Sequence, residues 1–238
     1  MTACLFDLDG VLTPTATVHA AAWKELFDEV LRRRADRDGM LFIPFDTGND
    51  YHKYVDGKAR VDGARSFLES RQISLPEGRP GDSPDVETVE GLAARKDHYF
   101  TTRLRRAGVR PYPDAVRYLA AAKSAGLRRG VVSSSRHCEE VLRTSGIDVF
   151  VEEHVDGMVA MRERLPGKPA PDTFLAAAER LGVAPEKAAV FEDALAGIDA
   201  GRAGGFGCVV AVARGGAADE LLAHGADIAV NNLEELLG

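Results

Sequence analysis

Two aspartates after a short apolar run are the residues of this sequence that are best placed for chemistry. Asp7 and Asp9 follow Ala3–Phe6, and Gly10 then allows a sharp turn. Side chains alternate between the two faces of a strand, so the two carboxylates point the same way. They repel each other unless a cation or a shared proton relieves them. Because surface pairs seldom follow four apolar residues, the pattern indicates a functional site at a strand's carboxyl end, where ligands bind in open α/β sheets.

A second acidic pair has the same setting further along the chain. Glu192 and Asp193 follow the apolar run 189–191, and a helical pattern begins directly after them. Acid pairs at two strand ends give Mg²⁺ the hard oxygen ligands that it prefers, with water and a substrate phosphate completing an octahedron. We therefore expect Mg²⁺ as the cofactor.

Hydroxyl groups and one lysine supply groups that can hold an anion. Ser133 ends another apolar run, and the N–H groups after it, with the N-terminus of a helix expected from Arg136, can bind a phosphate. In 167–172, two prolines hold an extended turn that presents Lys168. This turn does not have the spacing of a Walker phosphate loop. Taken alone, it fits a lysine that faces a phosphate and a surface lysine equally well.

The elements that must position these residues are strands that alternate with helices. Apolar runs typical of strands lie at 3–8, 128–133, 149–155, 187–192, 207–213 and 227–231. Helical patterns lie at 113–125, 136–145, 172–182, 194–203 and 216–224. This alternation predicts an α/β fold with a doubly wound, mostly parallel, Rossmann-like core sheet.

The long segment between the first two strands predicts an inserted domain. Its length of about 115 residues is far beyond that of an ordinary connection between a strand and a helix. Amphipathic helical patterns at 17–34 and 85–106 flank a stretch rich in Gly, Pro and Asp. We therefore predict a core made of 1–14 and 109–238, with a small helical cap domain inserted at 15–108.

The composition narrows the classes of function. The chain has 238 residues, 45% of them hydrophobic, which is enough for a sizeable core. Its net charge of −7 and the lack of a dominant basic face argue against a nucleic-acid partner. Three cysteines without a CxxC pair fit a reducing compartment, and no apolar run is long enough to span a bilayer. We expect a cytoplasmic monomer that binds a small substrate and neither nucleic acid nor membrane.

Taken together, the motifs resemble those of the haloacid-dehalogenase-like superfamily of aspartyl phosphotransferases. Its four motifs occur in order at Asp7–Asp9, Ser133, Lys168 and Glu192–Asp193. Within this superfamily the chain is similar to the β-phosphoglucomutase subfamily, through the segments 6–12, 19–24, 95–96, 133–136, 167–172 and 192–197. The resemblance implies a Mg²⁺-dependent enzyme with a helical cap, acting on a small sugar phosphate and interconverting β-D-glucose 1-phosphate and glucose 6-phosphate.

The resemblance also implies a role for each matching residue. Asp7 would be the nucleophile that becomes an aspartyl-phosphate, and Asp9 the general acid and base, with its backbone carbonyl on the metal. Asp7 with Glu192 and Asp193 would complete the metal site. The substrate-binding residues would be Ser133 and Lys168 on the transferring phosphoryl group, Ser135 and Arg136 on a distal phosphate, and His19, Trp23 and Lys96 in the cap.

One further cap residue is less directly matched. The subfamily has an arginine after a glycine in a short turn, whereas this chain has a longer stretch over 54–66. We assign the substrate-binding role to Arg65, with Lys58 and Arg60 as alternatives. Asp97 and His137 stand where the subfamily commonly has asparagine, so the contacts with the sugar are expected to differ.

Three functions remain open on the sequence. A Mg²⁺-dependent sugar-phosphate phosphatase, a hydrolase, would use the same catalytic residues, with water reaching the aspartyl-phosphate. A catalytically silent sugar-phosphate sensor or partner-binding module would not need the intact residues Asp7, Asp9, Lys168 and Asp193. A second phosphate site at Ser135 and Arg136 is needed by a mutase and not by a simple phosphatase, so the mutase, an isomerase, is favoured.

Overall fold

A parallel six-stranded sheet forms the centre of the fold in the computed structural model, which describes residues 1–237. The strands are β1 (Ala3–Phe6), β2 (Arg128–Val132), β3 (Glu153–Val155), β4 (Ala188–Glu192), β5 (Cys208–Val212) and β6 (Ile228–Val230). Their order is β3-β2-β1-β4-β5-β6, and every neighbouring pair is parallel. The chain adds β2 and β3 on one side of β1 and the later strands on the other, so the topological switch point lies between β1 and β4. The prediction of a doubly wound parallel core is confirmed.

The described chain divides into two compact units. One contains Met1–Thr15, Gly57–Ala59 and the chain from Val109 onward, and we call it the core. The other contains Ala16–Asp56 and Arg60–Gly108, and we call it the helical unit. The predicted insert spans 15–108, whereas in the structure Thr15 and Gly57–Ala59 belong to the core.

Long helices and an aromatic cluster build the helical unit. The helices are α1 (Thr15–Asp38), α2 (Arg60–Ser70) and α3 (Val89–Ala107), with a π-helical turn at Tyr51–Val55. Trp23 stacks on Phe27 with 5.0 Å between the ring centroids, and Phe67 packs on the other rings of the cluster. The sequence pattern did not predict α2, because Gly63 interrupts it. In the structure Gly63 lies so close to Trp23 that little room remains for a side chain, and this packing compensates for its poor helix propensity.

The helices of the core largely follow the predicted pattern. They are α4 (Pro113–Ser124), α5 (Cys138–Ser145), α6 (Gly157–Glu163), α7 (Asp172–Arg180), α8 (Leu195–Ala203) and α9 (Ala218–Ala223). The short helix α6, which Asp156 caps through its side chain, was not predicted. The strand predicted at 149–155 is shorter than expected, because its first part forms a 3₁₀ turn at Asp148–Phe150 before the edge strand β3.

The central strands of the core are buried on both faces. Every residue of β1 and β4 is buried, and the rings of Phe6 and Phe191 stack across the two strands with 4.6 Å between their centroids. Such continuous apolar runs are typical of parallel strands that helices cover. Among residues 1–237, no helix is long and apolar enough to cross a membrane.

Candidate active site

The register of the sheet brings three predicted motifs to one edge. Phe6 pairs with Val131 on one side and with Phe191 on the other, so β1, β2 and β4 end at the same level. The N–H of Asp7 donates to the carbonyl oxygen of Phe191 at 2.9 Å, which continues the ladder beyond β1. The pairing of the strands therefore brings the residues at their carboxyl ends together. The residues at these three strand ends are Asp7, Ser133 and Glu192.

A buried lysine joins two of the acidic motifs. Lys168 Nζ donates to Asp7 Oδ1 at 2.6 Å and also to Glu192 Oε1. A third hydrogen bond, of 3.0 Å, goes to the carbonyl oxygen of Val132 at the end of β2. The side chain of Lys168 is only 1% exposed, so the interpretation as a surface lysine is wrong. The turn that carries it instead places an ammonium group at the centre of the site.

The charges at this centre are not balanced. Burial lowers the pKa of Lys168, but the Asp7 and Glu192 carboxylates raise it by more, so the ammonium keeps its proton. Burial raises the pKa of Asp7 well above its ordinary value; Lys168 opposes this shift, while Glu192 and Asp9 add to it. One ammonium group thus faces more negative charge than it can neutralise, an excess that a divalent cation relieves.

An acidic cluster at this centre fits such a cation. Asp7, Glu192 and Asp193 each offer one carboxylate oxygen, and these oxygens all lie within 4.8 Å of one another. Carboxylate oxygens are the hard donors that Mg²⁺ prefers, and the excess negative charge favours a dication. The predicted fourth protein ligand is the backbone carbonyl of Asp9.

Two glycines make room for the carboxylates of the second acidic pair. A Cβ at Gly197, in the first turn of α8, would lie 1.9 Å from the Glu192 carboxyl group. A Cβ at Gly10 would lie 1.8 Å from Asp193 Oδ2, and Gly10 also has a φ of +98°. The sequence did not by itself predict this role of Gly197. Its position soon after the acidic pair was the feature that could have indicated it.

Hydroxyl groups hold the carboxylate of Asp9. Ser133 Oγ donates to Asp9 Oδ2 at 3.1 Å, and Thr15 Oγ1 donates to Asp9 Oδ1. Thr15 shares a further hydrogen bond of 2.7 Å with the hydroxyl of Thr13. The N–H of Asp9 donates to Asp7 Oδ2 at 2.7 Å, which ties the two aspartates together. Sequence reasoning missed Thr15, for which two threonines two residues apart after the first motif were the signal.

The loop after β2 is ordered by its own serines. Ser133 Oγ accepts a hydrogen bond from the N–H of Ser135 at 3.1 Å, and Ser135 Oγ accepts one from the N–H of His137 at 3.2 Å. Ser135 and Arg136 are both partly exposed just before α5. Their assignment to a distal phosphate stays a prediction.

A short piece of the insert lies against this loop within the core. Ser134 Oγ donates to the carbonyl oxygen of Gly57 at 2.7 Å. A Cβ at Gly57 would lie 2.9 Å from the Cβ of Ala194, which follows the second acidic pair. Lys58, which is half-buried, comes next in the chain and belongs to the core.

The other predicted substrate-binding residues lie in the helical unit. His19 Nδ1 and Lys96 Nζ are 2.5 Å apart, and Lys96 Nζ lies 5.0 Å from the centre of the Trp23 ring. The structure therefore brings these three residues together on α1 and α3. Their contact with a substrate stays a prediction.

Arg65 does not lie with that group. Its guanidinium pairs with Asp62 at 2.7 Å and with Glu77, and its side chain is 39% exposed. Arg60 is less exposed, pairs with Asp97 and directly follows the core segment Gly57–Ala59. Both arginines therefore have carboxylate partners, and the assignment of the substrate-binding role to Arg65, with Lys58 and Arg60 as alternatives, stays a prediction.

Comparison with known proteins assigns the chain to a family. The family model described as haloacid dehalogenase-like hydrolase matches residues 1–205. The chain belongs to this family. The resemblance found in the sequence is confirmed.

Several relatives of known name cover nearly the whole chain. A protein of Mycobacterium bovis named beta-phosphoglucomutase is 54% identical over 99% of this chain and 91% of its own length. A Bacillus subtilis protein of the same name is 31% identical over 87% of this chain and 81% of its own length. The crystal structure of beta-phosphoglucomutase from Clostridium difficile is 28% identical with a TM-score of 0.75, covering 99% of this chain and 93% of that one.

Proposed function

We propose that this protein is a phosphomutase that interconverts β-D-glucose 1-phosphate and glucose 6-phosphate. The observation that carries the proposal is the setting of Asp7, whose two carboxylate oxygens accept hydrogen bonds from Lys168 Nζ and from the N–H of Asp9. The 54% identity with the Mycobacterium bovis relative over 99% of the chain supports the sugar phosphate as substrate.

Asp7 is the proposed nucleophile. An Asp7 oxygen attacks a phosphorus atom of the 1,6-bisphosphate, the bond between that phosphorus and the sugar oxygen breaks, and an aspartyl-phosphate and glucose 6-phosphate form. Phosphoryl transfer depends mainly on positioning and on neutralising the charge of the phosphoryl oxygens. Lys168 lies 2.6 Å from Asp7 and is buried, so its charge acts on the phosphoryl group with little screening by water.

Asp9 is the proposed acid and base. In the first half-reaction its carboxyl group gives a proton to the leaving sugar oxygen. In the second, it takes a proton from the 6-hydroxyl of β-D-glucose 1-phosphate as that oxygen attacks the aspartyl-phosphate, which forms the 1,6-bisphosphate and restores Asp7 and Asp9. The hydrogen bonds from Ser133 and Thr15 hold the Asp9 carboxylate between these steps.

Mg²⁺ is the proposed cofactor. Asp7, Glu192 and Asp193, with the backbone carbonyl of Asp9, would hold it. When bound, the ion supplies positive charge to the phosphoryl oxygens, which carry most of the charge in the transition state.

The mutase is preferred over a phosphatase because of the proposed second anion site. Ser135 and Arg136 precede α5, where N–H groups and the helix dipole favour an anion. A bisphosphate intermediate needs such a site while its other phosphate is transferred. In the helical unit, the cluster of His19, Trp23 and Lys96 is proposed to bind the sugar.

A coupled assay tests the proposal. The protein is given β-D-glucose 1-phosphate, Mg²⁺ and the 1,6-bisphosphate as primer, and glucose 6-phosphate and inorganic phosphate are followed in parallel. Glucose 6-phosphate formed much faster than phosphate supports a mutase. Phosphate released in step with substrate loss would support the phosphatase instead. The Asp7→Asn variant should be inactive, whereas Asp227→Asn, which changes an exposed carboxylate of the core, should not.

Intact mass spectrometry gives the second readout. A gain of one phosphoryl group that depends on Asp7 is expected after mixing with substrate. If neither product nor adduct formed, a non-catalytic sugar-phosphate sensor would become the better account.

A further inference from the structure

Arg214, two residues after β5, binds the loop that carries the first acidic motif. Its Nε donates to the carbonyl oxygen of Gly10 at 3.1 Å, and its Nη2 donates to that of Val11 at 3.0 Å. The same guanidinium pairs with both oxygens of Asp114, at 3.2 and 2.6 Å. It also lies over the ring of Tyr112, 3.8 Å from its centre. All of these residues belong to the core.

These partners mark the two places where the chain leaves and re-enters the core. Gly10 and Val11 precede the insert, whereas Tyr112 and Asp114 follow it. The two segments are also joined directly, because the N–H of Tyr112 donates to the carbonyl oxygen of Leu12 at 2.9 Å. One guanidinium thus fixes both segments.

The loop that Arg214 binds leads to the Asp9 carboxylate through a short chain of hydrogen bonds. The N–H of Gly10 donates to the carbonyl oxygen of Thr13 at 2.7 Å, which closes the turn. Thr13 bonds to Thr15 at 2.7 Å, and Thr15 donates to Asp9. A shift of the Gly10 and Val11 carbonyls would therefore move the hydroxyl groups that orient Asp9.

The arrangement needs an arginine. The side chains of Arg214 and Asp114 are only 17% and 10% exposed, so their charges are largely desolvated. Asp114 is also fixed by the N–H of Leu233, which donates to its Oδ2 at 2.9 Å. A planar guanidinium can serve a carboxylate and two carbonyls at once, whereas a lysine ammonium cannot reproduce that fork.

We propose that Arg214 is a positioning residue for Asp9, acting through the loop Gly10–Thr13. The inference rests on the proposed function, in which Asp9 protonates the leaving oxygen. It does not depend on whether the enzyme is a mutase or a phosphatase, because both use that proton transfer.

Two phosphate esters that differ in their leaving group test the inference. β-D-Glucose 1-phosphate releases a sugar oxygen that must be protonated, whereas p-nitrophenyl phosphate releases a phenolate that does not. The rate of phosphoryl transfer to Asp7 is measured with each ester in a single turnover. The ratio of the two rates does not depend on how much of a variant is folded, so a partly unfolded variant still gives a valid result.

Arg214→Lys is the main variant. We expect its rate with the sugar phosphate to fall about 30- to 100-fold, as for a small misplacement of a catalytic group, and its rate with p-nitrophenyl phosphate to fall less than about threefold. Asp114→Asn, which keeps Arg214 but weakens its anchor, should show a smaller change in the same ratio. Arg117→Lys is the matched control, because Arg117 pairs with Glu234 beside Leu233 but does not touch the loop, and its ratio should stay at the wild-type value.

The outcomes separate the inference from the proposed function. An unchanged ratio of the two rates in Arg214→Lys would overturn the inference. If both rates fell equally, Arg214 would have only a structural role. If the wild-type protein transferred phosphate from neither ester, the proposed function would be wrong and the inference would fall with it. A selective loss with the sugar phosphate is the supporting result.

Discussion

Each compact unit buries a lysine, and the two lysines have different surroundings. In the core, Lys168 Nζ binds the carboxylates of Asp7 and Glu192 and a backbone carbonyl. In the helical unit, Lys96 Nζ binds the imidazole of His19 and lies 5.0 Å and 5.1 Å from the rings of Trp23 and Phe100. The carboxylates of Asp7 and Glu192 hold the ammonium of Lys168, whereas the ammonium of Lys96 lies beside an imidazole and two ring faces.

The different surroundings suit the two lysines to different tasks. The carboxylates around Lys168 repay its desolvation, so its charge is in place before a phosphoryl group arrives. The attraction between a ring face and a cation is weaker than that of a carboxylate and amounts to about 0.5–2 kcal/mol for each ring. Lys96 is therefore suited to bind a neutral or weakly charged part of a substrate, such as sugar hydroxyls, whereas Lys168 is suited to the reacting group.

Removal of the core lysine should have the largest effect. Lys168→Met leaves two buried carboxylates unpaired, so we expect a loss of about 3–5 kcal/mol in the free energy of unfolding. Phosphoryl transfer should slow by about 10²- to 10³-fold or more, as when one preorganised charge donor is lost. Urea unfolding and single-turnover kinetics measure the two effects. Lys123→Met removes an exposed lysine of the core and should change neither; a Lys168→Met enzyme with normal rates would refute the role of the fixed charge.

A substitution of Gly197, which lies against the Glu192 carboxylate that pairs with Lys168, should have a smaller effect. Gly197→Ala forces the Glu192 carboxylate to move, so we expect the apparent affinity for Mg²⁺ to fall about 10- to 100-fold. Titration of activity with Mg²⁺, after removal of metal by a chelator, measures it. Gly201 is on the same helix, and the atoms nearest to a Cβ there belong to valine side chains. Gly201→Ala should therefore alter the stability of the protein without altering the Mg²⁺ titration. Equal Mg²⁺ titrations for the two variants would count against the proposed metal site.

The lysine of the helical unit should show the opposite balance. Lys96→Met removes a cation beside an imidazole and two ring faces and puts an apolar chain of similar length in its place, so the free energy of unfolding should fall by less than in Lys168→Met. If Lys96 binds the sugar, KM should rise about tenfold while kcat changes less. Steady-state kinetics and thermal melting test this, with the exposed Lys53→Met as control. A collapse of stability in Lys96→Met would mean that the two lysines are structurally equivalent.

The smallest effect concerns the ion pair between Asp114 and Arg214. Burial raises the pKa of Asp114, but hydrogen bonds from Arg214 and from the N–H of Leu233 outweigh it, so the pKa lies below the ordinary value of 3.8. The stabilising contribution is therefore complete above about pH 4 and is lost as the pH falls through the pKa of the folded state. Asp114→Asn should unfold more easily than the wild type by about 1 kcal/mol at pH 7. That difference should shrink below pH 4 in urea titrations; a constant difference would show that the charge of Asp114 is not responsible.

The sequence predicted the parts of the site that backbone topology determines. Asp7, Ser133 and Glu192 each end or follow an apolar run, and parallel strands align such ends whatever lies between them. The same rule also draws attention to Arg214, a charged residue just after the apolar β5. Because Arg214 belongs to no matching motif, the sequence did not predict a role for it.

What the sequence could not predict depends on packing between distant segments. The helix α2 contains Gly63 and forms because Phe67 and its neighbours are buried in the aromatic cluster. The pairing of Arg65 with Glu77 and of Arg60 with Asp97 joins residues 12 or more positions apart, which no local pattern reveals. For this reason the assignment of the substrate-binding role to Arg65, rather than to Lys58 or Arg60, stays a prediction.

The segment Gly57–Ala59 makes the insert an unsuitable module for exchange. It is encoded in the middle of the helical unit's sequence, yet it is part of the core and accepts a hydrogen bond from Ser134. A chimera that received this insert on a foreign scaffold would import three residues adjoining the recipient's second motif. Recombination between family members that exchanged the whole insert would therefore also change the residues that contact Ser134 in the core.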